Sequence, residues 1–178
     1  MYKYQRTLND KIIFSGIGLH TGAQTKMIVY TANKNSGISF KRIDLNDKII
    51  INASIDNVVE TNRGTTIGID NHKIFTVEHF LSALNGLGID NAFIEIDNIE
   101  PPIFDGSSDV FVNSILDVGI RKNTARKKYI NITKEISYDN NSCKMKIIPC
   151  DKFKISYFGD FPYGNIGSED YIYTLSDD

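Results

Sequence analysis

The sequence predicts an α+β fold, and three observations carry that expectation. The opening stretch is a succession of short apolar runs with strand character, the apolar period changes to that of a helix at Thr76, and strand alternation returns at Asn91.

The early strands are expected at residues 11–14, 25–31, 37–43 and 48–52, where alternating or short apolar runs are bounded by Gly, Asn and Asp. From Thr76 the residues Val77, Phe80, Leu81 and Leu84 fall at helical spacing and define one apolar stripe. Thr76 is the natural N-cap, and Gly86 and Gly88 supply the stop. Over residues 91–97, Ala92, Ile94 and Ile96 share one face of a strand and Phe93, Glu95 and Asp97 the other. Pro101 and Pro102 end that strand. Asp105-Gly106-Ser107-Ser108 then provides turn and capping chemistry for a second helix over residues 109–118, closed by Gly119.

Residues 121–128 carry basic and polar side chains without an apolar period, which reads as a linker. The expected organisation is a first domain over residues 1–122, a linker at 123–128 and the opening strands of an incomplete second domain at 129–178. In that last part, strands are expected at 129–136, 143–148, 152–158 and 170–175. Phe153, Ile155 and Tyr157 alternate there with Lys152, Lys154 and Ser156. No helix pattern follows, so this second sheet has no partner layer of its own.

Hydrophobic residues make up 41% of the 178 and charged residues 24%, the balance of a globular protein and not of a disordered one. The formal charge of −2 leaves no excess of positive charge to neutralise a phosphate backbone, so nucleic acid is not expected as a partner. No apolar run approaches the roughly 20 residues that span a bilayer, and the first ten residues lack the apolar stretch of a signal peptide. No transmembrane segment and a cytoplasmic location are expected. Cys143 and Cys150, separated by six residues, fit neither a disulfide framework nor a zinc knuckle and read as reduced thiols.

The first helix carries the most chemistry. On a wheel, Glu78 lies about 100° and His79 about 200° from Val77 at the centre of the apolar stripe. Spacing alone favours a solvent-exposed helix histidine over a ligand. The functional alternative is His79 as a metal ligand with Glu78 as general base toward a metal-bound water, because zinc lowers the pKa of its water to roughly 7 and a carboxylate takes the proton. Catalytic zinc takes three protein ligands, and the only histidines are His20, His72 and His79, with no internal H-E-x-x-H pair.

Gly16-Ile17-Gly18-Leu19-His20-Thr21-Gly22 joins two strands, and its glycines permit a tight turn or a close ligand approach. A hairpin-like connection with His20 exposed is slightly favoured over a site. Asp105-Gly106-Ser107-Ser108 in isolation reads as a turn with a cap, and Glu100 and Asp105 either form a carboxylate pair near one loop or serve as caps and solvated groups.

Taken together, the glycine loop at 16–22, Thr76-Val77-Glu78-His79-Phe80-Leu81-Ser82-Ala83-Leu84, Gly86-Leu87-Gly88-Ile89-Asp90-Asn91 and Pro102-Ile103-Phe104-Asp105-Gly106-Ser107-Ser108 resemble, in order and spacing, the UDP-3-O-acyl-N-acetylglucosamine deacetylases. The resemblance is strong over residues 4–120 and looser beyond. It implies two similar strand-and-helix sandwich domains around a catalytic zinc, the second truncated in this chain. It implies hydrolysis of the N-acetyl group of a UDP-linked acylated glucosamine in lipid A synthesis, with release of acetate.

By matching position, Glu78 is implied as the catalytic base, His79 as a zinc ligand and His20 as a substrate contact. The family's other two zinc ligands and a further catalytic histidine would lie beyond Asp178, so one of three expected ligands is present. The chain is therefore expected to be inactive alone, with a possible companion chain supplying the other half-site. The alternative is a non-catalytic interaction or binding module that keeps the fold of the first domain.

Overall fold

Short apolar runs punctuated by turn-forming residues become strands through most of the chain. The computed structural model describes residues 2–162 and 164–175, so Met1, Tyr163 and the last three residues of the expected second domain lie outside the described residues. The chain divides into two units that meet in sequence between Lys127 and Lys128. The first unit runs β1 (Tyr4–Leu8), β2 (Ile12–Ile17), β3 (Gln24–Thr31), β4 (Ile38–Arg42), β5 (Ile51–Asn52), β6 (Val58–Glu60), β7 (Thr66–Ile69), β8 (His72–Ile74), α1 (Glu78–Gly86), β9 (Ala92–Ile96), α2 (Asp109–Val118) and β10 (Ile120–Arg126). The fold is α+β, as the change of period predicts.

A five-stranded sheet in the order β2-β3-β9-β4-β5 is antiparallel except for the β4–β9 pair. Its inner face is legible in the alternation of β9, whose Ala92, Ile94 and Ile96 are fully buried while Phe93 and Glu95 are not. Met27 and Val29 of β3 and Phe14 of β2 extend the same face. Both helices bury one stripe into this core through Phe80 and Leu84 of α1 and Phe111 and Ile115 of α2. Their rings meet edge to face, Phe14 to Phe111 at 5.1 Å and Phe80 to Phe111 at 5.3 Å. Each such side chain contributes about 1.5–3 kcal/mol by burial, and together they fix where the two helices begin relative to β2.

A separate three-stranded sheet, β6-β7-β8, leads directly into α1. None of its strands stands out in the sequence, because each is only three or four residues long.

Two expectations need correction. Much of the stretch 121–128, whose polar composition suggests a linker, belongs to β10 (Ile120–Arg126), which pairs antiparallel with β1. Such a ribbon is held by backbone hydrogen bonds, and its side chains need not be apolar. Residues 129–135 do not form the expected strand, and no partner strand for them exists among the described residues.

The second unit contains two hairpins, β11 (Ile136–Asp139) with β12 (Lys144–Ile147) and β13 (Lys154–Asp160) with β14 (Ser168–Thr174). Phe153, Ile155 and Tyr157 are 45%, 48% and 53% exposed, and this unit has no helix of its own among the described residues. Cys143 and Cys150 are free and exposed. No described helix is long and apolar enough to cross a membrane.

Candidate functional site

Glu78 is the first residue of α1 and half-buried. A carboxylate in the first helical turn is favoured by the unsatisfied N–H groups there. Its Oε2 accepts a hydrogen bond from the Thr65 backbone N–H at 2.9 Å, and the Val77 N–H donates back to the Thr65 carbonyl at 3.2 Å. This reciprocal latch ties the β6–β7 loop to the start of α1 and leaves Oε1 as the unoccupied carboxylate oxygen among the described residues.

Thr76 does not cap the helix. Val77 occupies the N-cap position in helical geometry and no side chain caps α1. The Thr76 backbone is left-handed, with φ at 51°, an unusual conformation for a β-branched residue. Its hydroxyl donates to Glu100 Oε1 at 2.7 Å, and that bond removes it from capping.

Glu100 is fully buried and binds the glycine loop from the other side. Its carboxylate accepts from the backbone N–H groups of His20 at 3.1 Å and Thr21 at 2.9 Å, and from the Thr21 hydroxyl at 2.9 Å. The loop is the β2–β3 connection, and the glycine it needs most is Gly18, where a Cβ would stand 2.5 Å from Glu100 Oε2. His20 is exposed, as a hairpin connection implies, but its ring is not idle: Nε2 lies 3.2 Å from the Arg63 carbonyl. A carbonyl only accepts, so in this bond Nε2 is the donor.

These side chains converge on Gly64. A Cβ placed there would stand 3.3 Å from Glu78 Oε1, 3.6 Å from Thr76 Oγ1 and 3.8 Å from His20 Nε2. The adjoining pocket, about 190 Å³, is lined by His20, Glu60, Arg63, Gly64, Thr66 and Thr76. Gly64 does not occupy the left-handed region, so alanine is compatible with its backbone. Gly64→Ala is expected to change stability by less than about 1 kcal/mol and to shift the Glu78 carboxylate by a few tenths of an ångström, because its Oε1 is the one atom of the three closer than ordinary contact while the His20 ring stays in place. Denaturant melts check the first, and side-chain resonances of Glu78 against an unmoved His20 and Phe111 check the second.

His79 is half-buried, and no hydrogen bond to its ring is formed among the described residues. Its carbonyl accepts from the hydroxyls of Ser82 at 2.8 Å and Ser108 at 3.0 Å, which joins α1 to the start of α2. Ser108 therefore makes no cap of its own, and Ser107 instead accepts from the Asp109 N–H. Asp105 is an exposed turn residue bonded to Ser107, so Glu100 and Asp105 hold different partners and form no pair. Among the described residues no three His, Cys, Asp or Glu side chains stand together as a metal would require. One imidazole does not amount to the donor set of a resident zinc.

The comparisons with known proteins decide the family. The profile of the UDP-3-O-acyl N-acetylglycosamine deacetylase family, LpxC, matches residues 5–178. The chain belongs to this deacetylase family. It is 43% identical over 159 residues to the UDP-3-O-acyl-N-acetylglucosamine deacetylase of Alcanivorax borkumensis, covering 89% of this chain and 52% of that protein. It is 42% identical over 171 residues to the bifunctional enzyme LpxC/FabZ of Chlorobaculum tepidum, 95% of this chain and 37% of that one. The deacetylase of Syntrophus aciditrophicus is 38% identical over 175 residues, 98% and 56% of the two chains. Apart from the bifunctional enzyme, of which it covers less, the chain spans about half the length of these relatives.

In this chain, the expected site residues Glu78 and His20 are brought to one cradle, and His79 follows Glu78 on α1. Sequence reasoning missed Gly64, Thr65 and the central place of Glu100. The only signal for Glu100 is its position between a strand end and two prolines, which reveals nothing of the loop it meets.

Proposed function

We propose that this chain is the part of a zinc-dependent UDP-3-O-acyl-N-acetylglucosamine deacetylase that supplies Glu78 as general base, His79 as one zinc donor and His20 as a substrate contact. The reaction is hydrolysis of the N-acetyl amide in lipid A synthesis: water adds to the carbonyl carbon, the C–N bond breaks, and acetate and a free amine result. The observation that carries this reading is the division of the Glu78 carboxylate. Its Oε2 is fixed by Thr65 while Oε1 faces the Gly64 cradle beside His20, which suits an oxygen that must take a proton from water.

In a longer protein that carries this chain, zinc would supply Lewis-acid polarisation of the acetamide and the water, with His79 as the donor this chain would contribute; the described residues hold no donor set of their own. The 178-residue chain is therefore expected neither to bind zinc one to one nor to release acetate. Metal analysis showing a tight stoichiometric site, or acetate release by the chain itself, overturns this division of the site. Most of the relatives are about twice as long, which favours a single polypeptide over a companion chain as the source of the remaining donors.

A non-catalytic interaction module has one observation in its favour, the exposed Phe153, Ile155 and Tyr157 of the second unit. Acetate release by a longer protein carrying this chain, abolished by Glu78→Gln, excludes it.

A further inference from the structure

Glu100 is a fully buried carboxylate with no cationic side chain bonded to it among the described residues. Burial alone would raise its pKa, but hydrogen bonds from Thr76, from Thr21 and from the His20 backbone outweigh this and hold it below its ordinary value. A buried charge neutralised only by dipoles is costly to build. Its partners indicate what it is for. They are the backbone of His20, the adjoining Thr21, and Thr76, two residues before Glu78.

Each partner is hydrogen-bonded to the carboxylate. The left-handed Thr76 turn is anchored by its hydroxyl bond to Oε1, and from that turn the chain enters α1 with Glu78 leading. The His20 loop folds over Oε2 in space that the missing Cβ of Gly18 leaves open. The His20 ring then reaches the Arg63 carbonyl, next to Gly64. One carboxylate thereby joins the loop that carries His20 to the turn that aims Glu78.

We infer that Glu100 is a positioning residue, whose carboxylate holds His20 and the Thr76 turn so that the His20 ring and the Glu78 carboxylate face one cradle at Gly64. Its consequence for catalysis rests on the deacetylase reading above, whereas the placement itself rests on geometry.

The test uses the 178-residue chain, with Glu100→Gln and the milder Thr21→Val, which removes one donor from an exposed side chain. Hydrogen exchange and isotope-edited NMR are the readouts. In Glu100→Gln the His20 and Thr21 amides are expected to exchange at least about tenfold faster. The His20 Nε2 resonance should leave its hydrogen-bonded position and the Thr65 amide, which reports on Glu78, should shift, while Phe111 and Ile115 stay unchanged. Thr21→Val should give smaller changes of the same kind and extend them to Thr76, remote in sequence and linked to Thr21 through Glu100.

If Thr21→Val leaves Thr76 and Thr65 unmoved, or a folded Glu100→Gln keeps the His20 ring in place, the inference is wrong. Should Glu100→Gln fail to fold, Thr21→Val decides alone. A failure of the deacetylase reading looks different: a longer protein carrying this chain would release no acetate although the NMR changes occur as expected.

Discussion

Glu78→Gln is expected to lower kcat for acetate release by about 10²–10⁴-fold in a longer protein that carries this chain, the usual contribution of a general base. Glutamine has the shape of the residue it replaces and retains a carbonyl oxygen. That oxygen can keep the bond from the Thr65 N–H, 2.9 Å long in the native chain, so the β6–β7 loop stays latched to α1. The amide nitrogen then occupies the Oε1 position beside Gly64, where it cannot take a proton from water. The substitution thus removes a chemical capacity and leaves the scaffold in place. KM should change by less than about threefold, and the thermal midpoint should hold. Steady-state acetate assays and a melt of the same preparation measure both. A variant that keeps near-native kcat would show that Glu78 is not the base.

The part of the site on α1 is legible in the sequence because an apolar stripe at helical period declares which residues lie off it. That period places Glu78 and His79 off the stripe, although Ala83 joins the buried stripe and both polar residues are half-buried, not exposed. The five-stranded sheet is legible for the same reason, since β3 and β9 alternate cleanly. Other features follow from pairing at a distance, which no local pattern records. β10 looks like a linker because its polar residues belong to a ribbon with β1. Thr76 looks like an N-cap, and its hydroxyl would serve as one if Glu100 did not take it. Gly64 and Thr65 lie in the loop between β6 and β7, two strands whose apolar content is too small to show a period. The family resemblance singles out His20 where local chemistry favours a plain turn, and the bond of its ring to the Arg63 carbonyl is a long-range contact that neither signal contains.

Glu100→Gln should also change how stability depends on pH. The folded-state pKa of Glu100 lies below its ordinary value of 4.5, with the penalty of burial outweighed by the Thr76, Thr21 and His20 hydrogen bonds. A depressed carboxylate stabilises the fold fully above its unfolded pKa, and that contribution disappears as pH falls through the lower, folded value. At pH 7 the variant should therefore be less stable by about 2–4 kcal/mol, because the carboxylate's charge-assisted bonds are lost and an NH₂ group faces donors. Below pH 4.5 the gap should narrow, since a protonated Glu100 also presents a donor to donors. Asp44, depressed chiefly by its bond from Arg42, and Asp105, depressed chiefly by the Ser107 hydroxyl, lose stability in the same direction, but both variants share them. Urea titrations of the native and variant chains from pH 7 to pH 3 isolate Glu100 as the difference. A gap that stays constant across that range would mean that the carboxylate contributes through shape and not through charge.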